Sequence, residues 1–278
     1  MDFKTNNNCR REVIGLMPAA GKASRLPALP CSKELYPIGY DARNFSPKVV
    51  SHYLLENMRM ADIKRAYIIL RKGKWDIPAY FGDGKMLEMH LGYLLMDLPY
   101  GVPYTLDQAY PFVKEAVVAL GFPDIIFEPE DAFVRLLEKQ KQSNADIVLG
   151  LFHTPNAHKT DMVDLDDSGR IRSIQVKPIQ TDLKYAWGIA VWGPSFTEFM
   201  HDYVLSQSNS FENNPEVDLQ REMFVGDVIQ AAIENGMQID PVIFKDGSYV
   251  DIGTPEDLIK AVLAISKSFN PKKCSQRS

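Results

Sequence analysis

The chain has 278 residues with a net charge of −5, and 45% of its residues are hydrophobic, which suits one large α/β domain or two small ones. The negative charge argues against a nucleic-acid partner, and no apolar run of about 18 residues predicts a membrane-spanning helix. The cysteines, at positions 9, 31 and 274, form neither a disulfide framework nor a zinc-site spacing and fit a reducing compartment. Because the polar N-terminus lacks the apolar core of a signal peptide, we expect a cytoplasmic protein without a membrane partner, with flexible tails at 1–11 and 271–278.

The first part of the chain predicts a βαβ unit. An apolar run at 13–17 predicts the first strand, and Ser46-Pro47 predicts the start of a helix that ends near Ala61. The apolar run 65–70 predicts the next strand. Strand, loop, helix and strand in this order require a right-handed crossover and two parallel strands.

The remaining elements continue this alternation. Further strands are predicted at 91–98, 117–120, 145–152, 185–192, 238–244 and 248–252, with a hairpin at 162–166 and 171–176. Further helices are predicted at 75–81, 111–116, 130–142, 194–205, 223–235 and 255–266, with a polar loop at 206–216. The order predicts an α/β fold with a mostly parallel, doubly wound, Rossmann-like sheet in one domain, 12–270, and a small β-rich insertion at about 153–192. In such folds the ligand lies beyond the carboxyl ends of the strands.

A loop of small residues follows the first strand. Ala19, Ala20 and Gly21 allow the backbone to approach a ligand closely, and successive N–H groups in such a loop can form an anion site. The cations Arg25 and Lys33 lie in the same stretch. The spacing matches neither a P-loop nor G-x-G-x-x-G. From spacing alone, a phosphate site and an ordinary surface loop with solvated charges are equally good interpretations.

Residues 19–26, AAGKASRL, and 32–38, SKELYPI, together resemble the signature of sugar-1-phosphate nucleotidylyltransferases of the glucose-1-phosphate thymidylyltransferase and uridylyltransferase type. The resemblance implies a nucleotide-diphospho-sugar transferase-like fold and a Mg²⁺-dependent reaction that joins an NTP to a sugar 1-phosphate and releases pyrophosphate. It implies that Arg25 and Lys33 are catalytic phosphate clamps, and that Ala19, Ala20 and Gly21 bind the nucleotide. Position 23 departs from the pattern, because the family usually has glycine there. If that position must be left-handed, the loop here is either strained or shaped differently.

The resemblance also implies two metal-binding carboxylates. Residues 249–256, YVDIGTPE, match the family's W-x-D-x-G-T segment, so Asp251 is a predicted Mg²⁺ ligand; turn chemistry and helix capping are the alternative. The family's Leu-Gly-Asp pattern is altered, because Leu120-Gly121 is followed by Phe122-Pro123-Asp124. Asp124, displaced by two residues, is the second predicted ligand, and Glu128 and Glu130 are possible substitutes.

Three further segments resemble the acceptor and base sites of the family. Its Glu-Lys-Pro step is Val176-Lys177-Pro178 here, so Lys177 is predicted to bind the acceptor phosphate, while the missing glutamate puts the usual hexose in doubt. The segment 185–188, YAWG, resembles the Tyr-x-x-Gly strand and predicts Gly188 in the acceptor site. The segment 106–109, LDQA, predicts Gln108 beside the nucleobase, whose identity the sequence does not indicate.

The main functional hypothesis is therefore a Mg²⁺-dependent nucleotidylyltransferase whose partners are an NTP and a sugar 1-phosphate. An alternative acceptor is a non-sugar phosphate, such as a polyol or choline phosphate. A non-catalytic nucleotide or sugar-nucleotide sensor on the same fold is the alternative from another class, and a homo-oligomer is left open. A hydrolase of the α/β class is disfavoured, because the chain has no G-x-S-x-G motif.

Overall fold

The computed structural model describes residues 11–26, 29–41, 46–97, 100–155, 157–213 and 222–268. The tails predicted at 1–11 and 271–278 lie outside these ranges, apart from residue 11. No helix within the ranges combines the length and the hydropathy that a bilayer crossing requires.

The described residues form thirteen strands and eight α-helices. The strands are β1 (Val13–Pro18), β2 (Pro37–Tyr40), β3 (Pro47–Val49), β4 (Arg65–Arg71), β5 (His90–Met96), β6 (Val117–Gly121), β7 (Ile125–Glu128), β8 (Ile147–His153), β9 (Met162–Leu165), β10 (Ile171–Gln175), β11 (Tyr185–Trp192), β12 (Ile239–Phe244) and β13 (Ser248–Asp251). The helices are α1 (Val50–Met60), α2 (Asp76–Phe81), α3 (Val102–Asp107), α4 (Tyr110–Val113), α5 (Ala132–Ser143), α6 (Pro194–Asn213), α7 (Val225–Glu234) and α8 (Pro255–Ser268).

A nine-stranded sheet forms the centre of the molecule. Its main path runs β12-β8-β11-β6-β1-β4-β5, and the β9–β10 hairpin joins the first residues of β11. The pairs β1–β4, β1–β6, β4–β5 and β8–β12 are parallel, whereas β11 runs antiparallel to β6 and β8. This confirms the predicted α/β class, the mostly parallel sheet and the first βαβ unit.

Both faces of the sheet are covered by apolar side chains. Strand β8 shows this directly, because Leu149 and Leu151 belong to one hydrophobic cluster while Val148 and Phe152 belong to the other. Helices α1 and α5 pack on the second face, and α3, α6 and α7 pack on the first. A continuous apolar run such as β8 is typical of a strand buried on both sides.

Three local predictions were wrong. The helix expected from Ser46 begins at Val50, because Pro47–Val49 forms a short antiparallel pair with β2, and the Val50 N–H then donates to the Tyr36 carbonyl at 3.1 Å. The loop expected at 206–216 is helical as far as Asn213, since low helix propensity weakens a helix without forbidding it. The helix expected at 111–116 is shorter, at Tyr110–Val113, and α3 precedes it.

Candidate active site

The small-residue loop continues directly from β1 at the carboxyl edge of the sheet. The Ala19 N–H donates to the Ile69 carbonyl at 2.8 Å, so the loop is fixed to β4, and Ala19 and Ala20 are buried. Gly21 faces open space, because a Cβ at this position would have no neighbour within 4 Å. Ala23 is left-handed, with φ 53°. The loop therefore adopts the conformation that glycine would adopt without strain.

Lys33 lies on a short 3₁₀ turn, Lys33–Leu35, that is held from the side by α2. The Asp76 carboxylate accepts hydrogen bonds from the Ser32 N–H at 2.6 Å and from the Ser32 hydroxyl at 2.7 Å. The Lys33 ammonium lies 2.5 Å from Asp124 Oδ2, and both side chains are largely buried. Burial opposes the charge on Lys33, but the Asp124 carboxylate prevails and raises the pKa of the lysine.

Asp124 and Asp251 are brought together by a small antiparallel sheet. Strand β7, which the sequence did not predict, pairs with β13 so that Ile125 lies opposite Asp251. The Ile252 N–H donates to the Asp124 carbonyl at 3.0 Å, and the Gly253 N–H donates to Asp251 Oδ1 at 2.7 Å. The displaced Asp124 therefore lies beside Asp251, although their positions in the chain are far apart.

The two carboxylates affect one another. Burial opposes the ionisation of Asp124, but the Lys33 ammonium outweighs it and lowers the pKa of this carboxyl. Burial, followed by the charge of Asp124, raises the pKa of Asp251. Two nearby carboxylates that cannot ionise independently form an environment in which a cation is favourable.

Arg25 completes the cluster from the small-residue loop. Its Nη2 atom is 3.0 Å from the position that a Cβ would occupy at Gly253, and Asp251 Oδ1 is 2.9 Å from the same point. Arg25, Lys33, Asp124 and Asp251, predicted from separate segments, are thus grouped around one space at the carboxyl edge of the sheet.

The number of carboxylates in the Asp124–Asp251 pair fits a magnesium ion. The described residues contain no group of three or more His, Cys, Asp or Glu side chains that could hold a metal. Mg²⁺ commonly uses only one or two protein carboxylates and takes its other ligands from water and substrate phosphates. Asp124 and Asp251 therefore supply a sufficient protein donor set when a phosphorylated substrate is present.

A buried ion pair behind the cluster escaped the sequence analysis. The Lys74 ammonium contacts Glu34 Oε1 at 2.6 Å, and the two side chains are 6% and 1% exposed. Burial raises the pKa of Glu34 and lowers that of Lys74. Glu34 follows Lys33 directly, so this pair supports the backbone that carries Lys33. A glutamate next to Lys33 was the only sequence signal, and it did not indicate burial.

A cavity of about 570 Å³ lies beyond the carboxyl ends of β4 and β5, and Gln108 lines it. Trp75 lines the same cavity and is 53% exposed, while the Gln108 amide donates to the Tyr104 carbonyl at 3.3 Å. An open indole and a side-chain amide suit the stacking and hydrogen bonding of a nucleobase. A larger cavity, about 800 Å³, lies between β2, α1, β7 and α8. Glu128 and Glu130, the possible substitute metal ligands, line it, whereas Arg25, Lys33, Asp124 and Asp251 are not among the described residues that do.

The predicted acceptor residues lie on β11, which contains Gly188, and just after β10, where Lys177 follows the strand. The Lys177 ammonium is 3.7 Å from the centroid of the Phe224 ring, and Lys177 has a left-handed backbone with φ 40°. A Cβ at Gly188 would be 2.7 Å from the Tyr249 ring. The missing side chain at Gly188 therefore leaves room for the Tyr249 ring. Burial, followed by the charges of Asp251 and Asp124, raises the pKa of Tyr249.

Comparison with known proteins identifies the family and relatives of the chain. A family model described as nucleotidyl transferase matches residues 14–268. The chain is 24% identical over 263 residues to a low-salt glycan biosynthesis nucleotidyltransferase of Haloferax volcanii, covering 93% of this chain and 68% of that protein. It is 23% identical over 227 residues to a glucose-1-phosphate thymidylyltransferase of Streptomyces antibioticus, covering 81% of this chain and 60% of that one.

Solved structures share the fold. A Bacillus anthracis protein described as a glucose-1-phosphate thymidylyltransferase, crystallised with sucrose, superposes with a TM-score of 0.75 at 18% identity, covering 95% of this chain and 99% of its own. A UDP-glucose pyrophosphorylase in complex with UDP-glucose gives a TM-score of 0.74 at 17% identity, covering 93% and 100%. Because the family model extends over almost the whole chain, including the loop and both carboxylates, the chain belongs to the nucleotidyl transferase family.

Proposed function

We propose that this chain catalyses the Mg²⁺-dependent transfer of a nucleotidyl group from an NTP to a sugar 1-phosphate, with release of pyrophosphate. The observation that carries the proposal is the grouping of Arg25, Lys33, Asp124 and Asp251 around one space. A sensor that only binds nucleotides need not keep a carboxylate pair beside two cations, so the grouping favours the transferase. A cytoplasmic location, a single domain over 12–270 and self-association stay predictions.

The reaction needs binding and charge stabilisation more than covalent participation of the protein. An oxygen of the acceptor phosphate attacks the α-phosphorus of the NTP, and the bond from that phosphorus to the oxygen bridging to the β-phosphate breaks. Arg25 can donate two parallel hydrogen bonds to phosphate oxygens, and Lys33 supplies a compact positive charge. Both therefore stabilise the charge that develops on the phosphoryl and leaving oxygens. When bound by Asp124 and Asp251, Mg²⁺ would neutralise further charge on these oxygens.

The two substrates occupy opposite sides of the carboxylate pair in this proposal. The nucleobase enters the cavity lined by Trp75 and Gln108, and the small-residue loop, with Ala19, Ala20 and Gly21, lies along the triphosphate. Lys177 binds the acceptor phosphate, and Gly188 contributes by admitting Tyr249.

The test measures pyrophosphate release with Mg²⁺ for the common NTPs, each combined with a panel of sugar 1-phosphates and with choline phosphate. We expect release that requires one acceptor and stops when EDTA is added. Asp251→Asn should lower turnover at least 100-fold, whereas Asp246→Asn, an exposed aspartate before the same strand, should not change it. Thermal stabilisation by an NTP without release from any acceptor would favour a sensor. Full activity of Asp251→Asn would remove this residue from the metal site.

A further inference from the structure

Asp161 is a carboxylate that the proposed reaction does not yet use, and strand pairing places it in the acceptor region. It precedes β9, where Met162 pairs with Ala186 of β11 and also with Gln175 of β10. One step along these antiparallel ladders brings Asp161 beside Trp187 on one side and Val176 on the other. Both neighbours belong to the segments that resemble the family's acceptor site.

The carboxylate of Asp161 meets the side chain of Val176. A Cβ at Gly226 would be 2.6 Å from Asp161 Oδ2 and 2.9 Å from Val176 Cγ2, so the two side chains converge on one point. Val176 occupies the position at which the resembling family has the glutamate of Glu-Lys-Pro. The carboxylate missing from position 176 is thus supplied to the same space by a residue of the neighbouring strand.

Two buried polar atoms in this space have no protein partner among the described residues. They are Asp161 Oδ1, an acceptor, and the Trp187 indole N–H, a donor. Trp187 is 5% exposed, and its indole lies near the Asp161 carboxylate without forming a hydrogen bond to it. A ligand hydroxyl can donate to Oδ1 and accept from the indole at once, whereas an ammonium group has no acceptor to offer the indole.

The electrostatics of Asp161 show that its carboxylate is available as an acceptor near neutral pH. Burial is the largest influence and, with the charge of Asp227, raises the pKa of Asp161 to about 6, while Lys177 acts in the opposite direction. The group is therefore mostly ionised at pH 7. Burial, followed by the charges of Asp251, Asp124 and Asp161, raises the pKa of the Tyr249 phenol, so all three carboxylates lie within electrostatic range of this ring.

We propose that Asp161, assisted by the Trp187 indole N–H, binds one hydroxyl of the acceptor and selects a polyhydroxylated sugar 1-phosphate over choline phosphate. The inference rests on the proposed function and assigns a specificity-determining residue within its acceptor site. Since a charged hydrogen bond is lost, Asp161→Asn should raise the KM for the acceptor on the order of 10- to 100-fold. The KM for the NTP should change by less than about 2-fold, and Trp187→Phe should cause a smaller rise in the same acceptor KM.

Monodeoxy analogues of the best sugar 1-phosphate identify the hydroxyl. With the wild-type protein, we expect one deoxy analogue to have a kcat/KM lower than that of the parent sugar 1-phosphate by a factor similar to the effect of Asp161→Asn. With Asp161→Asn, the same analogue and the parent sugar 1-phosphate should have almost equal kcat/KM values. Asp164→Asn is the matched control, because this aspartate lies three residues further along, on β9, and pairs instead with the surface residue Arg172 at 2.6 Å. Calorimetric binding of UDP-glucose, dTDP-glucose and GDP-mannose gives a readout that does not depend on turnover, and the product that binds the wild-type protein should bind Asp161→Asn more weakly.

The possible outcomes separate the two proposals. An active wild-type protein with an unchanged acceptor KM in Asp161→Asn overturns the role of Asp161 alone. Equal losses with every deoxy analogue and with the NTP would also overturn it, since they indicate a structural role. A wild-type preference for choline phosphate contradicts the selected acceptor class. A wild-type protein that neither releases pyrophosphate nor binds any of these NDP-sugars overturns the proposed function, and this inference with it.

Discussion

Replacing Asp161 by asparagine removes a buried charge and keeps the size of the side chain, so it separates stability from acceptor binding. The rise in the pKa of Asp161 from 3.8 to about 6 corresponds to about 3 kcal/mol, which is an upper value because the residue is partly exposed. A carboxyl whose pKa is higher in the folded state favours folding below about pH 4 and loses this contribution as the pH rises through about 6. Asparagine stays neutral at every pH, so the Asp161→Asn variant keeps this contribution to the free energy of unfolding.

Urea denaturation of both proteins at pH 4 and pH 8 measures this effect. We expect equal free energies of unfolding at pH 4, and at pH 8 we expect Asp161→Asn to be more stable by up to about 3 kcal/mol. Asp164→Asn should instead lose no more than about 1 kcal/mol at pH 8, because it breaks a surface ion pair. If Asp161→Asn is less stable than the wild-type protein at pH 8, the carboxylate stabilises the fold through Lys177, and the argument from desolvation is refuted.

Three further predictions concern the loop and the ion pair behind it. Ala23→Gly should raise the free energy of unfolding in urea by up to about 1 kcal/mol, because glycine adopts the left-handed conformation without strain. Lys74→Met should lower it by about 3 to 5 kcal/mol by leaving Glu34 buried and unpaired, and the double variant with Glu34→Gln should recover most of that loss. Arg25→Ala should lower turnover on the order of 100- to 1,000-fold in the pyrophosphate assay, with little change in Tm, if it acts on the phosphates.

Each of these variants has a control or a contrary result. Ala20→Gly removes a buried methyl group in the same loop and should lower stability, so an equal gain from both glycines would refute the strain at Ala23. Arg59→Ala breaks an exposed ion pair with Glu88 and should cost no more than about 1 kcal/mol. A loss as small for Lys74→Met would show that burial does not matter there. Equal losses of turnover and Tm in Arg25→Ala would indicate a structural role.

The fold could be predicted wherever a strand is a long apolar run. Strand β8 is buried on both faces, so its sequence shows no alternation, and β4 is similar. Strands β2, β3 and β7 have three or four residues each. Their pairing depends on partners elsewhere in the chain, which no local pattern reveals. The antiparallel direction of β11 depends on the same kind of contact.

The candidate site was predictable only in part for the same reason. Arg25, Lys33 and Asp251 are recognisable because the segments around them keep their spacing. The burial of the Glu34–Lys74 pair is a tertiary property, as is the convergence of Asp161 and Val176 at Gly226. The sequence predicts strain at Ala23 only if this residue is left-handed, and the sequence alone does not determine the sign of its φ angle.

Two of the irregularities in the sequence pattern, unlike the alanine at position 23, concern a carboxylate that comes from an unexpected position. Asp124 is two residues late, and the pairing of β7 with β13 starts directly after it, so its backbone is bonded to Ile252 and its side chain lies beside Asp251. Asp161 precedes β9 and Val176 follows β10, yet the β9–β10 pairing brings their side chains to the same point. Charge at a site depends on where the oxygen atoms lie and not on which residue carries them. The altered motifs are therefore weak evidence against catalysis, and under the role proposed for Asp161 a carboxylate at position 161 in place of one at 176 is expected to change the acceptor preference first.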